Sequence, residues 1–461
     1  MRSSRVLAEQ LSTASRCTIP RVRQTRGYAQ AKKTPAAKHQ SQGFKGNKNK
    51  GDDARKKLKV DNVGLFKPLP VNQLTDPVFK SDYRSSLTLP TYSPEALTDA
   101  AIGLAMEFPM SENEAIRAYG VPKNLLIEFR VLSKPCSVVR DVTLKAVDTL
   151  DAAGMTPSRD TRLIMTGPSG CGKSYLLLQT VEYATHNNWI VLYIPRAIQL
   201  VNSSTTYVYD PRTRTYHQPE YSYQLLRRFL SVNSTALQNI TSREDLPLGD
   251  HTIPAGSPLT ELVEAGIHNK DLASVVLSAL MSELSQQSTY PVLLAVDDAQ
   301  ALYGYSSYRD PHYRTLMAQH LSIPRLLLEY ASGKKSFPRG AFFGAASTAH
   351  TSFLMPLEMC EALGLPPSRP TSPYTPRSPD MVSYAQGLRN FPVPAQLSIN
   401  EAAALFDVWM SDNALHSGEV RQNGELVAAP NDELFMTKYC EASGNARAFV
   451  WKGLLSTLGS L

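Results

Sequence analysis

The chain has 461 residues, 42% hydrophobic and 19% charged. That excludes a fibrous or wholly disordered protein and allows more than one core. The net charge of +7 is unevenly spread: residues 1–59 hold 16 Lys/Arg against 3 Asp/Glu, and the rest is mildly acidic. A body coated for non-specific nucleic-acid binding is therefore excluded, while a basic N-terminal segment able to meet RNA remains.

Residues 1–30 carry Arg2, Arg5, Arg16, Arg21, Arg23 and Arg26, many Ser/Thr and one acid, Glu9. That is the profile of a mitochondrial presequence; a basic arm that stays attached is the alternative. Residues 31–92 read as an extended basic arm, Lys/Gly/Asn/Gln-rich to Lys59 and proline-punctuated from Val60. Ser93 and Pro94 signal a helix over Pro94–Phe108, and Ser111-x-x-Glu114 a capping box for a helix to Tyr119. An amphipathic helix is predicted over Lys134–Ala153.

From Arg162 the pattern becomes strand, loop, helix, strand. Arg162–Thr166 and Ile190–Ile194 are apolar strands around a helix from Tyr175 to Asn187. Asn202–Ser222 reads as a Tyr-rich loop. Helices are predicted over Tyr223–Thr241, Lys270–Gln286 and Ser322–Ser332, and buried strands over Val292–Val296 and Ala341–Ala346. Pro366–Pro379 is an exposed insertion, followed by helices over Asn400–Asn413 and Asn431–Leu458. The fold class expected is α/β: a parallel sheet flanked by helices over residues 93–395, then a C-terminal helical cap over 396–461. The cysteines (Cys17, Cys136, Cys171, Cys360, Cys440) form no C-x-x-C pair, which suits a reducing compartment. The chain has no run of 18 apolar residues, so no membrane insertion is expected.

Chemistry concentrates in Gly167-Pro168-Ser169-Gly170-Cys171-Gly172-Lys173-Ser174, which fits G-x-x-x-x-G-K-[ST]. Glycines let backbone N–H groups turn toward phosphate oxygens, with Tyr175 just inside the helix that follows. Lys173 would reach the β/γ-phosphates and Ser174 would hold Mg²⁺. The bland alternative is a glycine-rich turn with an exposed lysine. Val292–Asp298 reads V-L-L-A-V-D-D, an apolar strand ending in acids. Asp297 would complete the magnesium shell, and Asp298 could orient an attacking water; two solvated turn acids are the alternative. Ser347 and Thr348 follow a strand that would lie between the loop and the acidic strand, as a γ-phosphate sensor or as a turn cap. Gly444-Asn445-Ala446-Arg447 resembles the G-N-x-R of AAA+-like lids, which implies that Arg447 reaches back to phosphate. Asn269-Lys270-Asp271 does not fit the guanine device N-K-x-D, so no motif reads the base. Tyrosines between Tyr207 and Tyr223 could stack one or anchor a surface loop.

The order phosphate loop, Asn188–Pro195, Gln218-Pro219, Gly256-Ser257-Pro258-Leu259 with Glu261–Glu264, and Leu294–Asp297 resembles the death-associated-protein family of mitochondrial small-subunit ribosomal proteins. The resemblance implies an AAA+-like P-loop NTPase fold binding GTP or GDP (ATP possible) with Mg²⁺. It implies a single copy in the head of the mitochondrial small subunit, among ribosomal proteins and, through extensions, ribosomal RNA. Asp298 departs from animal relatives, which tend to have a small residue there. An active AAA+/STAND-type NTPase in the matrix, or a regulator that only visits the ribosome, are the competing readings.

Overall fold

The computed structural model describes residues 87–248, 251–372, 374–412, 414–415, 419–422, 425–428 and 431–460. The segment read as a presequence, and all but the last residues of the one read as an extended arm, lie outside them. Five strands build the central sheet: β1 (Arg162–Thr166), β2 (Ile190–Ile194), β3 (Val292–Asp297), β4 (Gly340–Ala345) and β5 (Arg389–Pro392). Their order is β5-β1-β4-β3-β2, and every pairing is parallel. Parallel strands need covered faces, which is why β2, β3 and β4 are buried along their whole length and read as continuous apolar runs.

Helices supply the cover. We label α1 (Ala115–Tyr119), α2 (Lys123–Val131), α3 (Asp141–Ala153), α4 (Lys173–His186) and α5 (Pro219–Gln238). Next come α6 (Leu259–His268), α7 (Ala273–Leu284), α8 (Ser322–Ala331), α9 (Ile399–Ser411) and α10 (Asn431–Glu441). α4 packs on β1 to β4, α3 packs on α4, and α5 packs beside β2 with α6 and α7 behind it. Asn233 on α5 seals the sheet edge at β2. Its Oδ1 accepts the Val191 N–H at 2.8 Å and its Nδ2 donates to Val191 O at 3.0 Å, while the Tyr119 hydroxyl donates to the same carbonyl at 2.7 Å. A second apolar cluster gathers Leu397, Phe406, Trp409, Phe449, Val450 and Leu454 from the C-terminal elements, with Leu132 and Cys136.

Five expectations need correction. Pro94–Phe108 is not one helix but two short turns and a strand, Ala105–Glu107, paired with Cys136–Val138. Gly103 (φ +84°) breaks the run, and pairing across the chain overrides local propensity. The same strand pairing delays the helix predicted from Lys134 until Asp141. Ser111 is no N-cap: its hydroxyl donates to Glu114 Oε1 at 3.1 Å, and the helix starts at Ala115. Asn202–Ser222 contains a hairpin, Val208–Asp210 with Thr215–His217, turned by Asp210 Oδ1 accepting the Arg212 N–H at 3.0 Å. Finally, Asn431–Leu458 is interrupted at Ser443 (φ +50°) and Gly444 (φ +70°).

Candidate functional site

The parallel register fixes the site. Met165 on β1, Ala345 on β4 and Asp297 on β3 stand level, so the segments leaving these strands meet at one sheet edge. β4 separates β1 from β3, where the sequence reading put it. Open α/β sheets bind ligands at this carboxyl edge.

Gly167 (φ +148°), Gly170 (φ +84°) and Gly172 (φ +99°) bend the chain between β1 and α4. A Cβ on Gly170 would stand 2.5 Å from Asn445 Oδ1, so only glycine fits beneath the C-terminal segment. The first backbone bond of α4 runs from Leu176 N–H to Gly172 O at 2.9 Å. The N–H groups at Lys173, Ser174 and Tyr175 therefore have no partner within the helix, the arrangement that favours an anion. Lys173 is buried and its Nζ donates to Gly167 O (2.9 Å) and Pro168 O (2.7 Å). Burial holds this ammonium below its usual range, partly offset by Cys171 and Asp297.

Asp297 is buried at the end of β3. Burial first, and then the charge of Asp298, raise its carboxyl well above the ordinary range; the Ser174 hydroxyl, the Asp298 N–H and the Lys173 charge pull it back. Asp298 takes the left-handed conformation (φ +57°, ψ +35°) and its N–H donates to Asp297 Oδ1 at 2.8 Å. Burial also raises the Asp298 carboxyl, against the charges of His350 and Arg196 and a hydrogen bond with Ser347. His350 Nε2 lies 3.9 Å from Asp298 Oδ2.

One cavity brings most of the candidates together. It is lined by Ser169, Gly170, Gly172, Lys173, Ser174 and Tyr175, and by Asp297, Ser347, Thr348 and Arg447. Gly167, Pro168, Cys171 and Asp298 are not among its lining residues. Cys171 is buried in the core beneath the loop, and Asp298 stands behind Asp297. Past the loop the cavity continues between α2 and the C-terminal elements, with Leu125, Leu132, Val138, Leu405, Trp409 and Val450 as apolar walls. There Glu128 accepts from the Tyr175 hydroxyl (2.5 Å) and Trp451 Nε1 (2.7 Å). Tyr207, Tyr209 and Tyr216 pack on one another in the hairpin, and none lines the cavity.

The C-terminal segment closes on the loop. Arg447 N–H donates to Gly170 O at 2.9 Å, Asn445 Nδ2 to Ser169 O at 3.0 Å, and Arg447 Nη1 to Ser169 Oγ at 3.4 Å. Two further residues escaped the sequence reading. Arg140 donates to Cys171 O (3.0 Å), Gln396 O (3.0 Å) and Glu401 Oε2 (3.2 Å), tying the loop to α9. The same Glu401 oxygen accepts the Ser398 N–H at 2.9 Å, completing a capping box. Ser398-x-x-Glu401 was the signal available for Glu401; nothing local marks Arg140.

The donor set suits a phosphorylated ligand with a hard cation: an ammonium, free helix N–H groups, a hydroxyl and a buried carboxylate. The family profile described as mitochondrial ribosomal death-associated protein 3 matches residues 137–451, a span that holds the loop, Asp297 and Arg447. Small ribosomal subunit protein mS29 of Neurospora crassa is 26% identical over 327 residues, 68% of each chain. The protein of that name from Schizosaccharomyces pombe is 25% identical over 251 residues, 53% of each chain. That of Mus musculus is 23% identical over 226 residues, 48% of this chain and 58% of its own.

Proposed function

Since the chain belongs to the mitochondrial ribosomal death-associated protein 3 family, we propose that it is a constituent of the small subunit of the mitochondrial ribosome, in the matrix, whose cavity holds GTP or GDP with magnesium. The observation that carries the nucleotide reading is the convergence of Lys173, Ser174 and Asp297 on one cavity capped by Arg447. The relatives' names support the ribosomal assignment. Other small-subunit proteins are its neighbours, and ribosomal RNA is met through the basic N-terminal residues. Among the described residues no helix is long and apolar enough to cross a membrane.

In this reading the fold is an AAA+-like P-loop unit with a C-terminal lid. Lys173 and the N-terminal N–H groups of α4 hold phosphate oxygens, and Ser174 with Asp297 hold the cation. The cation supplies charge neutralisation between the phosphates and the acidic strand. The apolar half of the cavity takes the planar base. Asp298 stands beside Ser347 and 3.9 Å from His350 Nε2, and it is the residue that would orient a water if the nucleotide were turned over. A nucleotide at a thousand times its Kd would stabilise the domain by about 4 kcal/mol. The test is to extract nucleotide from small subunits washed at high salt. One guanine nucleotide per particle is expected from wild type and none from Lys173→Ala, which also incorporates poorly. Empty wild-type particles would refute the pocket's role, and absence of the chain from the particle would refute the assignment.

A further inference from the structure

The far end of α4, about 20 Å along the helix from the phosphate loop, carries a cluster that nucleotide binding leaves unused. Glu182 and His186 lie one turn apart on α4 and share a face. Glu114 stands at the start of α1, which packs against α4. One ligand atom from each lies within 4.8 Å of the other two.

All three present acceptors. Glu182 is fully buried; its Oε1 accepts the Ile116 N–H at 2.9 Å, and its Oε2 has no hydrogen-bond partner. Glu114 Oε1 accepts from Ser111 Oγ. His186 Nδ1 lies 2.8 Å from the Glu182 backbone oxygen, a contact favourable only if Nδ1 carries the proton. That tautomer leaves a lone pair on Nε2, which lies 3.8 Å from Glu114 Oε1. Two carboxylates and an imidazole lone pair thus lie together, and the donors on them, Ser111 Oγ and the Ile116 N–H, leave the buried Glu182 Oε2 unmet. Burial, and then the Glu114 charge, push the Glu182 carboxyl far up, so the arrangement calls for a positive charge or a proton. Two carboxylates with one imidazole match the ligand preference of zinc and its neighbours better than that of magnesium. An imidazole oriented by Nδ1–H on a backbone carbonyl is the usual support of such a ligand.

We propose that Glu114, Glu182 and His186 form a divalent-metal site of the zinc class that pins α1 to the far end of the phosphate-loop helix. A proton shared by the two carboxyls is the alternative, and it needs no imidazole. The experiment uses the purified full chain, stripped with chelator and titrated with Co²⁺ in excess Mg²⁺. One Co²⁺ per chain with visible ligand-field absorption, displaced by stoichiometric Zn²⁺, is expected. His186→Ala, at a partly exposed position, should abolish the absorption and weaken binding on the order of 100-fold, and Glu182→Gln should do the same. Lys173→Ala should leave it intact, separating this site from the nucleotide cavity. No Co²⁺ binding by wild type, binding unchanged in both variants, or loss in Lys173→Ala would each overturn the proposal.

Discussion

Asp297 and Asp298 set a pH dependence that magnesium would feel. Both carboxyls are raised, chiefly by burial. A carboxyl raised in the folded state binds its proton more tightly there than in the unfolded chain. Without a cation, the pair therefore costs stability as pH rises from the ordinary carboxylate range to the raised one. A divalent ion needs the charged form, so its affinity should increase over the same interval as the proton leaves. Measured by thermal shift with GDP, the magnesium half-saturation should be several-fold lower at pH 8 than at pH 6, and Asp297→Asn should flatten the profile. A wild-type profile already flat would show that Asp297 is not a cation ligand. The glycines, Lys173 and the paired acids could be picked out because the patterns G-x-x-x-x-G-K-[ST] and apolar-strand-then-acid have fixed local spacing. Arg140 could not: its partner Glu401 is 261 residues away, and only folding puts the guanidinium between loop and helix.

At the scale of elements, the same contrast separates the strands that sequence finds from those it misses. β1 to β4 announce themselves as short apolar runs because both faces of a parallel sheet are covered. β5 reads Arg-Asn-Phe-Pro and carries no such signal; it becomes a strand only because Leu163 to Thr166 offer it an edge. α6 lies between the predicted helices Tyr223–Thr241 and Lys270–Gln286, where none was expected, although Leu259, Leu262, Val263 and Gly266 give it one buried face. The opposite edge, at β2, is closed by a side chain rather than by another strand. Asn233→Ala would strip the Val191 N–H of its partner while leaving Tyr119 on the carbonyl. A loss of about 1–3 kcal/mol is expected from one orphaned buried donor, read as a lower urea midpoint at unchanged slope. A midpoint within error of wild type would mean that water or a shifted neighbour satisfies Val191.

For the whole molecule, charge is divided between a basic N-terminal segment and an acidic body. If that segment is the part that meets RNA, association of the full chain with ribosomal RNA should weaken steeply with salt, and removal of residues 31–59 should flatten the slope. An unchanged slope would move the RNA contact onto the body. The Arg140 bridge carries a separate consequence. Its guanidinium holds the Cys171 carbonyl of the glycine loop and the capping carboxylate of α9 at once. If the loop holds a ligand as proposed, its grip and the footing of the C-terminal helices share a single free-energy account. By thermodynamic reciprocity, a neighbour that settles on those helices and tightens the phosphate grip by some factor is itself retained more firmly, by that same factor, once the ligand is in place.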